Sequence, residues 1–145
     1  MADDSREGAE PARNALADRL EAERSAILAS YVHALDAQDS TVANDPTARE
    51  QTIAHASQSL TDLARSIRAG RVQIDESSMM LAWDIGETRA AQAIPTRESW
   101  RAAMVFVETT LEWVTKHVDN DSMETLGVIL LTLNQSITVR VREAT

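Results

Sequence analysis

No cysteine occurs in the 145 residues. That excludes a disulfide framework, a thiolate metal site and a redox switch through sulfur. Glycine and proline are scarce, at four and three. With so few breakers and much alanine, the chain favours helix throughout, and four scattered glycines cannot build a phosphate-cradling loop. Positive charge is short as well: 14 bases stand against 23 acids, for a formal charge of −9. Nucleic-acid binding is driven by neutralising phosphates and needs the opposite sign, so no direct contact with DNA or RNA is expected. No apolar run approaches the ~20 residues of a membrane span. The start, Met1-Ala2-Asp3-Asp4, is not a basic-then-apolar leader. The expectation is a cytoplasmic protein that does not enter a membrane.

What is present is helical periodicity. Residues 1–12 are polar and acidic and read as a disordered tail, leaving residues 13–145 as one helical domain. A first helix is expected from Arg13 to Ala37, with Leu16, Leu20, Ile27, Tyr31 and Leu35 on one face. Asp45-Pro46 is a start signal, a capping side chain followed by proline at the first helical position. The helix it opens carries Ile53, Ala56, Leu60, Leu63, Ala64 and Ile67, and stops at Gly70, a natural left-handed cap. Asp75 caps a third helix to about Ala93. The fourth runs from Pro95 to Val118, with Thr96 as its expected cap. Here Trp100, Met104, Val107, Leu111, Val114 and Val118 recur every three or four residues. A second row, Ala103, Phe106, Thr110, Trp113 and His117, lies beside it. A fifth helix, Ser122 to about Glu143, opens on Asp121 and Glu124 in capping-box spacing. Its β-branched end, Ile137 to Arg142, continues the stripe and reads as helix.

The search for chemistry finds little. His33, His55 and His117 fall on different helices, and none stands in metal-ligand spacing. His55 shares a face with Ser59, Asp62 and Ser66 and reads as solvated. His117 reads as a last-turn cation against the helix dipole, or else as a ligand contact. No nucleophile elbow is present, so no enzymatic activity and no cofactor are expected. Trp83, Trp100, Met104, Phe106, Trp113 and His117 are the candidates for a pocket, with core packing as the plainer reading. Arg89 is either a solvated arginine or a buried guanidinium bridging to Asp84, Glu87 or Glu98.

One stretch carries a family likeness. Ile85-Gly86, Arg89-Ala90, Gln92 and Ile94-Pro95 resemble a pattern of the RsbRD-type N-terminal domain. There the order is aliphatic-Gly, two variable positions, Arg-Ala, one variable position, then Gln-Gly-aliphatic-Pro. The similarity extends over about Ala15 to Val118, and the matching positions are Gly86, Arg89, Gln92 and Pro95. The resemblance implies an all-α fold, globin-like or a related five-helix bundle, without haem. It also implies a homodimeric sensory module of a bacterial regulator, which passes a signal along its C-terminal helix to an output domain or partner. Two positions depart from the pattern. Ala93 replaces the usual glycine, at roughly 1 kcal/mol if the backbone there is left-handed. Ala103-Met104 replaces an aromatic-basic pair. The dimer interface is expected on the fifth helix, through Leu126, Leu130, Leu133, Ile137 and Val141. The alternatives are a globin-like sensor of haem or a small molecule, with His117 as the contact, and a free-standing helical adaptor.

Overall fold

Asp45 and Pro46 open the helix around which the others assemble. The computed structural model describes the backbone of residues 2–118 and 123–144, and the side chains of 10–118 and 125–136. The helices are α1 (Ala2–Ala22), α2 (Arg24–Ala37), α3 (Thr41–Asn44), α4 (Pro46–Ala69), α5 (Glu76–Gln92), α6 (Thr96–His117) and α7 (Met123–Ala144). No strand occurs among the described residues, so the fold is all-α. Five expected helices become seven for two reasons. The first is interrupted at Glu23, which leaves the helical region with φ −99° and ψ 8°. The polar loop after it also holds one extra turn, α3, capped by Ser40, whose hydroxyl accepts from the Ala43 N–H at 3.1 Å. α1 begins within the stretch expected to be a tail.

The cap signals act as the sequence suggests. Asp45 Oδ1 accepts from the Ala48 N–H at 2.8 Å with Pro46 at the first position of α4. Gly70, at φ 70°, closes α4 with the Gly70 N–H on the Ile67 carbonyl and the Arg71 N–H on Ser66. That pair of bonds is a Schellman closure. Asp75 caps α5 through the Ser77 N–H at 3.4 Å. One cap differs: Pro95, not Thr96, precedes α6, and its carbonyl takes the Glu98 N–H at 3.0 Å. The expected Asp121–Glu124 box lies outside the described residues.

α4 packs against α1, α5 and α7, and more lightly against α2 and α3. Its apolar row, Ala56, Leu60, Leu63, Ala64 and Ile67, is buried with Ala17, Leu20, Ile27, Tyr31 and Leu35. Each fully buried Leu or Ile there contributes about 1.5–3 kcal/mol. α6 packs on α2 and α7. Tyr31 meets Phe106 edge-to-face, with centroids 5.5 Å apart, and its hydroxyl donates to the Ala102 carbonyl at 3.3 Å. α6 is turned relative to the expected stripe. Ala102, Ala103, Val105, Phe106, Thr110, Trp113 and Val114 are buried, whereas Met104, Val107 and Leu111 are half-buried and Trp100 is exposed.

Candidate functional site

The motif residues of α5 build a joint with the start of α4. Arg89 is buried at 2% exposure, not solvated. Its Nη2 donates to Thr52 Oγ1 at 2.7 Å and to the Ala48 carbonyl at 3.3 Å. These contacts are to a hydroxyl and a backbone carbonyl rather than to the expected carboxylates. One turn on, Gln92 Nε2 donates to both oxygens of Asp45 at 3.2 Å. One residue before Arg89, the Thr88 hydroxyl accepts from Gln51 Nε2 at 2.9 Å. The Asp45 carboxyl is held below its usual range, first by the Ala48 N–H and then by Gln92, with a smaller contribution from the Arg89 charge. Gly86 is buried in α5, the helix that packs most extensively on α7.

The turn after this joint aims α6. Ala93 is left-handed, at φ 55° and ψ 36°. Its N–H bonds to the Ala90 carbonyl and the Ile94 N–H to Arg89, a second Schellman closure. Ile94 is thereby buried, and Pro95 starts the next helix.

Below the joint runs a polar row, of which His55, Ser59, Asp62 and Ser66 were expected in solvent. Thr52, His55, Ser59, Asp62 and Ser66 are all buried, at 5% exposure or less. Their spacing was visible, but hydrophilicity suggested the outside. Thr52, Asp62 and Ser66 of this row find partners on α5 and the loop leading to it. Asp62 accepts the Ser78 hydroxyl at 2.5 Å and the Asp75 N–H at 3.3 Å. The Ser66 hydroxyl accepts from the Gln73 N–H at 2.8 Å. Burial pushes the Asp62 carboxyl above the usual carboxylate range, and those hydrogen bonds oppose the shift only in part. Short side chains let a helix bury polar atoms without separating the backbones.

The six aromatic and sulfur-bearing candidates do not come together. Trp83 is exposed, its indole N–H given to Glu87 at 2.9 Å. Trp100 is exposed, Met104 half-buried, and Phe106 lies against Tyr31. Trp113 and His117 do pair: their rings stack at 4.4 Å with an 18° interplanar angle. They line a cavity of about 260 Å³ with Glu23, Ile27, Thr109 and Glu112. His33 is exposed.

The expected α7 interface divides in the same way. Leu133 is 3% exposed and belongs to the core, with Leu126 packed against it. Leu130 and its neighbour Leu131 face outward, at 47% and 60% exposure. The side chains of Ile137 and Val141 lie outside the described residues.

Among the described residues, no group of three His, Asp or Glu side chains is placed to hold a metal ion, and no helix is long and apolar enough to cross a membrane. Comparison with known proteins finds no matching family model, curated protein or solved structure.

Proposed function

We propose that the chain is a non-catalytic sensory and dimerisation module of a bacterial regulator. A change in the seating of α5 on α4 is passed to α7, and from there to an output domain or partner. The observation that carries this reading is the Arg89 joint. A buried guanidinium bonded to a hydroxyl and a carbonyl of a neighbouring helix is a polar contact whose partners must move together. Such contacts favour discrete packings over gradual sliding. Both helices of the joint also pack on α7, so reseating one shifts the surface on which α7 rests. A signal drives the change only by binding one packing more tightly than the other.

The dimer is placed on the outer side of α7, at Leu130 and Leu131, and its partner is a second copy of the chain. The inward leucines are already used by the core. Hydrogen exchange tests the coupling. Thr52→Val should speed exchange in the joint and also in α7, by about 5–150-fold if coupling is of ordinary size. Faster exchange confined to α4 and α5 would remove α7 from the mechanism. Light scattering over a dilution series tests the dimer, and a monomer at every concentration refutes it.

A further inference from the structure

The cavity between the α1–α2 break and the last turns of α6 has a wall rich in acceptors. His117 Nδ1 lies 2.8 Å from the Trp113 carbonyl. A carbonyl only accepts, so Nδ1 carries the hydrogen, and in the neutral form of the ring Nε2 keeps its lone pair. That Nε2 is 3.7 Å from Glu23 Oε2. The Thr109 hydroxyl gives its hydrogen to the Val105 carbonyl at 2.9 Å, leaving its oxygen as an acceptor. Glu23 is held below the usual carboxylate range, chiefly by Arg19 at 2.7 Å, and stays anionic. The buried Trp113 indole N–H makes no hydrogen bond of ordinary geometry, and it helps to hold the same carboxylate low. Glu112 adds a second carboxylate, and Lys116, which also lines the cavity, is paired with it at 3.4 Å in an exposed contact that holds weakly. The cavity also lies at the negative end of the α6 dipole.

Acceptors therefore converge where a ligand would sit, and the complement to them is a cation with N–H donors. We propose that this cavity binds a small organic cation of the alkylammonium or guanidinium class. Its N–H groups are given to His117 Nε2 and Glu23, and its alkyl part lies over Ile27 and the Trp113 edge. At about 260 Å³ the cavity falls below the ~300–1,000 Å³ of drug-sized sites, so the ligand is small. The site lies on α2 and α6, away from the α4–α5 joint, and neither reading depends on the other.

Fluorescence tests it directly. In a Trp83→Phe, Trp100→Phe background, which changes two exposed side chains, Trp113 is the only indole. Butylammonium and agmatine should each give a saturable change in its emission. Tetramethylammonium, a cation without N–H donors, should do no more than sodium chloride. Glu23→Gln and His117→Phe should each weaken binding about tenfold or more, with circular dichroism confirming that the helices remain. If one variant does not fold, the other carries the comparison. The proposal is overturned by a tetramethylammonium response equal to butylammonium's, by unchanged affinity in a folded variant, or by no saturation with either probe up to about 10 mM.

Discussion

Arg89 on α5 donates to the Thr52 hydroxyl on α4 at 2.7 Å, inside the protein and three positions from the end of its own helix. Thr52→Val keeps the volume and removes the acceptor, leaving a buried guanidinium short of one partner. The expected loss is about 1–3 kcal/mol, read as a lower urea midpoint, with Thr52→Ser restoring most of it. A valine variant as stable as the parent would mean that the bond contributes no net free energy to the fold.

Two left-handed helix ends make opposite predictions. Ala93 holds φ 55° with a Cβ present, so Ala93→Gly should stabilise the protein by about 1 kcal/mol. Gly70 holds φ 70°, and a Cβ there would meet only the Arg13 guanidinium, at 3.4 Å. Because that side chain can yield, Gly70→Ala measures the backbone conformation and should lose about 1 kcal/mol. Thermal melts of the two variants should move apart; movement in the same direction would rule out backbone strain as the cause.

These ends were legible because they are local. Asp45-Pro46, Gly70 and Asp75 set boundaries through their own side chains or their own φ, with no help from the rest of the fold. The break at Glu23 was not legible, since neither proline nor glycine marks it. Nor could periodicity choose between the adjacent rows of α6. Trp100 begins one and is exposed, whereas Ala103 begins the other and is buried with Phe106, Thr110 and Trp113. The row from His55 to Ser66 misled for a different reason: its spacing was correct, but its polarity was taken for exposure. The site around His117 was half legible. The rings shared a face in sequence, whereas Glu23, nearly a hundred residues earlier, is brought in only by tertiary structure.

Asp62 gives a pH signature. Burial raises its carboxyl in the folded state, so the fold disfavours the charged form. The penalty is complete above the folded value and absent below the ordinary unfolded value of about 3.9. This contribution therefore becomes more favourable as pH falls from neutrality. Asp45 and Asp75 act in the opposite sense. Both are held low, chiefly by backbone N–H groups at helix starts, and their contribution is lost as pH falls below the unfolded value through the folded one. Subtracting the stability profile of Asp62→Asn from that of the parent isolates the first effect. The difference should shift in the parent's favour on acidification from pH 7 to about 4. A flat difference would show that Asp62 does not titrate with folding.

Leu133 and Leu131 lie two residues apart on α7 and should behave as different kinds of residue. Leu133 is 3% exposed within the core, whereas Leu131 is 60% exposed. Leu133→Ala removes buried methyl groups and should cost about 2–5 kcal/mol in urea denaturation, whatever the protein concentration. Leu131→Ser uncovers no cavity and should leave the stability of the monomer within about 0.5 kcal/mol. If the second copy of the chain seats on this side of α7, however, the same change should lower the apparent mass at micromolar concentration and make the parent's concentration-dependent melting disappear. The two readouts separate the roles because a core defect acts on a monomer and an interface defect acts only where two chains meet. A Leu131→Ser protein that stays dimeric on dilution, with Leu130→Ser giving the same result, would move the interface off the outer side of α7. The next candidates would be the exposed Met80 and Trp83 of α5.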